Sequence, residues 1–222
     1  PDRLSLSFMT QRNYTATDRM LLGLDQALQT LFGKPKATER ADPARELADV
    51  ELTPEQKLHT ARLLRIDHTG EVCAQALYQG QSLTARLPEV RESMQRSAEE
   101  ESDHLNWCHN RLSELQHGRS LLNPIWYTGS FLIGATAGLA GDKWSLGFIA
   151  ETERQVCAHI DSHLQQIPMA DQKSRAILEQ MRSDEAHHAD VAVRNGGMPL
   201  PLPVKSAMRL TAKLMTKTTY WL

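Results

Sequence analysis

Apolar residues recur every three or four positions along four long stretches of the chain, with polar residues between them. This is the period at which side chains share one face of an α-helix, whereas a strand alternates every second residue. One stretch shows the pattern through Met94, Ala98, Leu105, Cys108, Leu112 and Leu115. The pattern predicts four long helices and no convincing strand. Their expected bounds are 54–87, 89–115, 130–166 and 170–194.

Proline and glycine mark where these helices begin and end. Thr53 before Pro54 is typical of a helix N-cap followed by proline in the first turn. Pro88 interrupts the pattern between the first and second helices, and Pro168 interrupts it between the third and fourth. Each proline therefore marks the turn of one helical hairpin. Gly141 marks a place where the third helix can break.

The segments on either side of the four helices have a different character. Residues 1–50 mix a short apolar stretch with polar residues and helix-breaking prolines, so we expect a partly flexible N-terminal extension. The tail 204–222 combines basic and apolar residues at helical spacing, which favours an amphipathic helix. Together these features predict an all-α fold. Residues 51–222 form a four-helix bundle in this prediction, with additional N-terminal and C-terminal helical segments.

The longest stretch without a charged residue, 120–141, is long enough to raise the question of a membrane span. It contains Asn123, Pro124 and four glycines, which suit a continuous spanning helix poorly. We therefore interpret it as a buried or membrane-facing helix with its lead-in loop.

Composition and charge narrow the class of protein. A chain of 222 residues suits one well-cored domain with appendages. Its formal net charge of −2 disfavours a general nucleic-acid-binding surface, so we predict no nucleic-acid partner. The three cysteines are odd in number and far apart, which argues against a disulfide framework and favours a reducing compartment.

Two Glu-x-x-His motifs lie on predicted helices, at Glu101 with His104 and at Glu185 with His188. Residues three apart project from one helix face, so the two side chains of each motif can bind a common metal. A single such motif is weak, because glutamate-rich helices produce it by chance and a solvated pair is the usual result.

The spacing around the motifs is much more specific than either motif alone. Glu71 precedes Glu101 by 30 residues and Glu153 precedes Glu185 by 32, with a proline near the middle of each interval. Folding each segment into an antiparallel hairpin brings the four carboxylates to similar heights, at about 1.5 Å per residue. Packing the hairpins together surrounds one point with four glutamates and two histidines. This is the ligand set of ferritin-like di-iron and di-manganese bundles.

The motif residues share their helix faces with apolar residues, whereas the acid immediately before each motif lies on a more polar face. On this ground we prefer Glu101 to Glu100. We likewise prefer the motif of Glu185 to the overlapping pair Asp184 and His187.

Charge also favours a metal site. Four carboxylates facing one core would repel one another strongly, whereas two divalent ions cancel their charge. Oxygen and nitrogen ligands suit iron or manganese better than a closed structural zinc site. The expected metal ligands are Glu71, Glu101, His104, Glu153, Glu185 and His188.

Three further residues are candidates for hydrogen-bonding the ligands from outside. Asp67 lies one turn before Glu71, and Tyr78 lies two turns after it. His159 follows Glu153 by nearly two turns. Ordinary roles stay open for each of them: a surface acid, a core aromatic and a buried histidine.

The remaining features predict no site. The sequence shows no partner at a recognisable spacing for four histidines, which are His59, His109, His117 and His163. Gly134 and Gly138, four residues apart, indicate close helix packing. The sequence contains no glycine-rich nucleotide loop and no serine-hydrolase motif.

At these residues the sequence closely resembles the demethoxyubiquinone hydroxylase family of ubiquinone biosynthesis. The resemblance covers about 63–222, and all six ligand positions of the family pattern are occupied. The matching segments are Arg65-Ile-Asp-His-Thr-Gly-Glu71, Leu77-Tyr-Gln-Gly-Gln81, Glu101-Ser-Asp-His-Leu105, Glu153 with His159, Asp184-Glu-Ala-His-His188 and Pro201-Leu-Pro-Val-Lys205.

The resemblance implies an oxygen-dependent di-iron monooxygenase that hydroxylates the benzoquinol ring of a polyprenylated demethoxyubiquinol. It implies two iron ions per chain, bridged by Glu101 and Glu185, with dioxygen as co-substrate and NADH as a candidate reductant. It also implies a peripheral protein on the cytoplasmic side of the cell membrane. Other ubiquinone-biosynthesis proteins and a second copy of the chain are its candidate protein partners.

Three alternatives fit the ligand pattern without the resemblance. A ferritin-like oxidase or peroxide-scavenging protein would react with oxygen or peroxide and need no organic substrate. A ferritin-like tRNA hydroxylase would need a basic surface and would bind RNA in a salt-sensitive way. A metal-binding bundle without activity is the third.

Overall fold

The computed structural model describes residues 15–33, 38 and 40–222, and every regular element among these residues is an α-helix. The prediction of an all-α fold is therefore confirmed. The helices are α1 (Ala16–Phe32), α2 (Pro54–Thr84), α3 (Pro88–Glu114), α4 (Asn123–Leu139), α5 (Asp142–Gln166), α6 (Gln172–Arg194) and α7 (Leu202–Thr219).

Helix α2 begins where the sequence predicts. The Thr53 side chain accepts a hydrogen bond from the Gln56 N–H, and the Gln56 side chain accepts one from the Thr53 N–H. The helix ends at Thr84, three residues earlier than expected. Leu87 is extended because the ring of Pro88 disfavours helical backbone in the residue before it.

The third predicted helix is two helices, α4 and α5. They separate at Gly141, whose φ of 108° lies in a region that residues with a Cβ rarely adopt. The expected break at this glycine is thus confirmed. Helix α4 starts at Asn123, seven residues before the predicted bound, because Pro124 is well tolerated in a first turn.

Helices α2, α3, α5 and α6 form the bundle. Helix α2 packs on α3, α3 on α6, α6 on α5, and α5 back on α2, so the four helices enclose one interior. Each hairpin contributes two antiparallel neighbours, which confirms the ferritin-like four-helix architecture expected from the sequence.

Two apolar layers fill this interior at different heights. One layer lies at the end of the bundle that holds the C-terminal half of α3 and the N-terminal half of α6. It includes Leu64, Trp107, Leu112, Ile160, Leu178 and Met181. The other includes Ala74, Tyr78, Met94, Leu146, Ile149 and Ala192. The positions between these layers along each helix are therefore shielded from water on both sides.

Helix α4 lies directly against α2 because glycines remove side chains from the contact. A Cβ on Gly134 would overlap the carbonyl oxygen of Leu77, and a Cβ on Gly80 would overlap that of Phe131. Gly138 similarly faces Thr84. These contacts support the interpretation of the glycine spacing as close helix packing.

Helix α7 begins at Leu202, so Pro203 lies in its first turn. A first turn accepts proline, because the N–H that proline lacks would have no partner within the helix there. Helix α7 packs against α2 and α5, and α1 packs against α2 and α4. Within the described ranges, no helix is both long enough and apolar enough to cross a membrane.

Candidate metal centre

Six acidic and histidine side chains converge in the bundle between the two apolar layers, and each is at most 4% exposed. We call them the acid–histidine cluster. The cluster consists of Glu71 from α2, Glu101 and His104 from α3, Glu153 from α5, and Glu185 and His188 from α6. The structure therefore brings together every residue that the sequence singles out as a ligand.

Two of the glutamates each face both histidines. Oε2 of Glu101 lies 3.1 Å from Nδ1 of His104, and its Oε1 lies 3.3 Å from Nδ1 of His188. Oε1 of Glu185 lies 3.1 Å from Nδ1 of His104, and its Oε2 lies 3.2 Å from Nδ1 of His188. Each carboxylate thus spans two imidazoles with separate oxygens, which is the arrangement that a bridging ligand needs.

The other two glutamates lie to the sides of this centre. Oε2 of Glu71 lies 3.6 Å from Nδ1 of His104. Glu153 accepts a hydrogen bond of 2.7 Å from the hydroxyl of Tyr78 through its Oε1. Burial, and then the negative charge of Glu153, raise the pKa of Tyr78 well above its ordinary value, so the phenol keeps its proton and acts as a donor.

A carboxylate outside the cluster holds each histidine by its other nitrogen. Nε2 of His104 lies 2.9 Å from Oδ2 of Asp184, and Nε2 of His188 lies 2.8 Å from Oε2 of Glu100. Arg40 in turn donates a hydrogen bond of 2.6 Å to Asp184. Carboxylates in this position orient metal-binding imidazoles and raise their basicity. They leave Nδ1 of both histidines directed at the centre.

Burial and the mutual interactions of the cluster residues shift several of their pKa values. Burial, reinforced by neighbouring carboxylates, raises the pKa of Glu71 and of Glu153 well above the ordinary value. Burial alone would lower the pKa of His104 and of His188, but hydrogen bonds to the surrounding carboxylates outweigh it and raise both pKa values. The carboxylates of the cluster therefore favour positive charge in their midst.

The donor set fits two divalent metal ions. Oε2 of Glu153 is buried and makes no hydrogen bond within the described part of the chain. A buried carboxylate oxygen without a partner is costly unless a cation balances it. Two divalent ions would cancel four carboxylates, and an oxygen-rich set with two imidazoles is that of ferritin-like di-iron and di-manganese centres.

Of the three residues proposed to support the ligands, Tyr78 contacts Glu153 as described above. Asp67 and His159 belong to a different group. Oδ1 of Asp67 lies 2.8 Å from Nδ1 of His163, and the His159 ring lies edge-on against the His163 ring with centroids 4.1 Å apart. Spacing along the chain indicates no partner for His163, because its partner comes from α2, 96 residues away.

Glu100 and Asp184 have roles that the sequence did not reveal. Each stands immediately before the first residue of a Glu-x-x-His motif, and each contacts the histidine of the opposite hairpin. A polar helix face suggested solvent exposure for both. The signal that could have identified them is the repeat itself, since an acid precedes the motif in both hairpins.

A small cavity adjoins the cluster between α2 and α5. Its volume is about 10 Å³, which is about the space of one water molecule. Tyr78 and Glu153 form its wall on the side of the cluster, and the rest of its lining is largely apolar. The remaining residues of its wall are Ala74, Leu77, Gln81, Phe148, Ile149 and Thr152.

Residues 58–219 match the family described as "Ubiquinone biosynthesis protein COQ7". The chain is 52% identical to a 3-demethoxyubiquinol 3-hydroxylase of Nitrosococcus oceani, with 96% of this chain and 100% of that protein covered. It is 56% identical to a protein of the same name from Pseudomonas fluorescens, over 95% of this chain and 98% of the relative. The relative of that name in Acinetobacter baylyi is 54% identical over 95% of this chain and 100% of its own length.

Proposed function

The chain belongs to the family of the ubiquinone biosynthesis protein COQ7, and from this premise we propose that it is a di-iron monooxygenase that hydroxylates a polyprenylated demethoxyubiquinol. Relatives more than half identical over nearly their whole length are named 3-demethoxyubiquinol 3-hydroxylase. The observation that carries the proposal is the convergence of four buried glutamates and two buried histidines, on four helices, at one point.

We propose a place for each residue of the cluster around two iron ions. Glu101 and Glu185 would lie between the ions, since each faces both histidines. Glu71 would share an ion with His104, and Glu153 would complete the site beside Tyr78. Two ferrous ions held there would supply electrons and open coordination positions for dioxygen.

The chain itself supplies orientation and a water-poor surrounding. Asp184 and Glu100 hold the two imidazoles with Nδ1 inwards, and Tyr78 holds one oxygen of Glu153. The apolar layers above and below the cluster exclude water, which strengthens every electrostatic interaction inside it.

The reaction we propose consumes dioxygen, two electrons and two protons. One oxygen atom enters the ring, converting a C–H bond into a C–OH group, and the other leaves as water. We propose NADH as the source of the electrons. We propose that the ring approaches the cluster beside Tyr78 and Glu153, where the small cavity lies between α2 and α5.

We further propose that the protein lies on the cytoplasmic side of the cell membrane. Helix α4 exposes Ile125, Leu132 and Leu139, each at least 60% accessible to solvent. Helix α7 adds an apolar and basic surface with Leu210 and Leu214 exposed. Apolar residues flanked by lysine and arginine favour binding to the surface of an anionic bilayer, where an isoprenoid substrate is dissolved.

Sedimentation with lipid vesicles tests the membrane part separately from the chemistry. We expect the chain to bind vesicles that contain anionic lipid more strongly than neutral vesicles. Leu132→Glu should weaken binding, whereas Val193→Glu, an equally apolar but differently placed exposed residue on α6, should not. Equal binding by both variants would contradict a docking surface on α4. Association with other ubiquinone-biosynthesis proteins or with a second copy stays a prediction.

The chemistry is tested by a single turnover with isotopically labelled dioxygen. The full chain is loaded anaerobically with ferrous iron, mixed with a demethoxyubiquinol and exposed to the labelled gas. The product should gain one labelled oxygen atom, and Glu185→Ala should abolish the gain. Oxygen uptake with unaltered quinol would refute the proposal and favour the ferritin-like oxidase. Repeated turnover with NADH as the sole added reductant tests the electron source, and product limited to a single turnover would contradict that role of NADH.

A further inference from the structure

A second group of metal-binding side chains lies in the same bundle, outside the acid–histidine cluster. It consists of Asp67 on α2 and His159 and His163 on α5, and we call it the Asp67 group. One ligand atom of each residue lies within 4.8 Å of a ligand atom of the others. Asp67 and His163 are buried, and His159 is half-buried.

The group is built into the fold by two helices that pack against each other. His159 and His163 are four residues apart on α5, so both rings project from one face, and Asp67 approaches that face from α2. Asp67 stands one turn before Glu71, which is about 6 Å along the helix axis. The Asp67 group is thus close to the dinuclear site but shares none of its ligands.

The separation between Asp67 and His163 is compatible with two ligands of one ion. Ligand atoms at about 2.1 Å from one ion lie about 3 Å apart when their bonds to the ion are at right angles. Nδ1 of His163 lies 2.8 Å and 3.0 Å from the two oxygens of Asp67. In the acid–histidine cluster, Nδ1 of His104 lies at a similar distance, 3.1 Å, from Glu101.

His159 completes the set. Its Nε2 is buried and makes no hydrogen bond within the described residues. An unpartnered ring nitrogen beside a carboxylate and a second imidazole is costly without a ligand.

The donors define the kind of ion. Two imidazoles and one carboxylate are the protein ligands of several zinc enzymes, in which water takes the fourth position. Imidazole nitrogen suits zinc, cobalt, nickel, copper and ferrous iron, whereas magnesium and calcium prefer oxygen alone. His159 is the one partly exposed residue of the three.

We propose that Asp67, His159 and His163 bind one divalent transition-metal ion per chain, in addition to the two ions of the acid–histidine cluster. This inference goes beyond the hydroxylase function and does not depend on it. The ion crosslinks α2 and α5 one turn from Glu71, and it is selective against magnesium.

Equilibrium dialysis of the full metal-free chain against micromolar cobalt, with excess magnesium present, tests the proposal. We expect three cobalt ions per chain in the wild type, and two in His163→Gln and in His159→Gln. His117→Gln is the matched control, because it removes a histidine outside both groups, and it should keep three. The two ions that remain in the His163 and His159 variants show that those chains are folded.

The anomalous signal of cobalt in a crystal should place the third ion between Asp67, His159 and His163. Three results would overturn the proposal: two ions in the wild type, an unchanged count of three in His163→Gln, or a third ion bound only at millimolar cobalt. A wild-type count of one, lost in His163→Gln, would instead support the Asp67 group and contradict the dinuclear site. The two hypotheses can therefore fail separately.

Discussion

Nε2 of His104 on α3 lies 2.9 Å from Oδ2 of Asp184 on α6. The same relationship recurs with the helices exchanged, since Nε2 of His188 on α6 lies 2.8 Å from Oε2 of Glu100 on α3. Each helix that carries a Glu-x-x-His motif therefore also supplies the carboxylate that orients the histidine of the other. This crossing ties the geometry of the proposed metal site to the packing of the two hairpins.

Replacing Asp184 tests the crossed contact. Asp184→Asn keeps the shape of the side chain but removes the charge that holds His104. We expect affinity for ferrous iron to fall about 10- to 100-fold, as for other carboxylates that support a metal-binding histidine. Anaerobic competition against a chelator of known affinity measures the change.

The matched control for this prediction is Asp190→Asn, an exposed aspartate on the same helix. It changes the net charge by the same amount, so a general electrostatic effect would lower both affinities equally. Wild-type affinity in Asp184→Asn would show that the contact does not support a ligand.

The glycine contact between α4 and α2 gives a second prediction. In Gly134→Ala the new Cβ would overlap the carbonyl oxygen of Leu77, so the two helices must separate. We expect the free energy of unfolding to fall by about 1–3 kcal/mol. Gly129→Ala on the same helix is the control, because no neighbouring atom lies within 4 Å of its Cβ.

Alanine is the better helix former, so Gly129→Ala should be neutral or stabilising by up to about 1 kcal/mol. Chemical denaturation of the three proteins measures both effects. Equal stability of Gly134→Ala and Gly129→Ala would mean that α4 does not pack tightly on α2.

His68 gives a prediction about acid stability. Burial, then the charges of Arg119 and His109, lower its pKa from the ordinary 6.5 to about 3. At pH values between about 3 and 6.5, the unfolded chain therefore binds a proton at His68, whereas the folded chain does not. The contribution of neutral His68 to the free energy of unfolding is fully present above the pKa of His68 in the unfolded chain. It is lost as the pH falls, by about 1 kcal/mol per pH unit between about pH 6 and pH 4.

His68→Leu should remove this loss, because leucine has no proton to bind. The measurement is the free energy of unfolding of the metal-free wild type and variant across this range. The difference between the two curves should grow as the pH falls. His187→Leu, at an exposed histidine, is the control and should parallel the wild type. Parallel curves for His68→Leu as well would show that His68 is not held neutral in the folded protein.

Metal loading gives a fourth prediction. Burial raises the pKa values of Glu71 and Glu153, and hydrogen bonds to carboxylates outweigh burial and raise those of His104 and His188. Metal ligands must give up their protons, so the binding of two divalent ions should release more than about one proton per chain. A pH indicator in weakly buffered anaerobic solution measures the release. Fewer than about one proton would mean that the metals bind elsewhere.

The sequence predicts the heights of the four glutamates well, because the rise of a helix is fixed and Pro88 and Pro168 set the turns. It also predicts which side of each helix faces the core, since Glu101 and Glu185 share their faces with apolar residues. These features depend only on local geometry.

Contacts between hairpins could not be predicted in the same way. Glu100 stands four residues before His104, so local spacing favours that pair, yet the structure pairs it with His188. The partner of His163 is Asp67, 96 residues away along the chain. Both pairings depend on how the helices rotate against each other, which the period of apolar residues does not define.

The central claim is that six side chains hold two iron ions as a coupled pair. Mössbauer spectroscopy tests it most directly, on the full chain loaded with two equivalents of isotopically enriched ferrous iron and oxidised by dioxygen. We expect most of the iron to form a spin-coupled diferric pair without magnetic splitting, and Glu101→Ala to lose that signal. Magnetically isolated ferric ions in the wild type, in the same amount as in Glu101→Ala, would contradict the account.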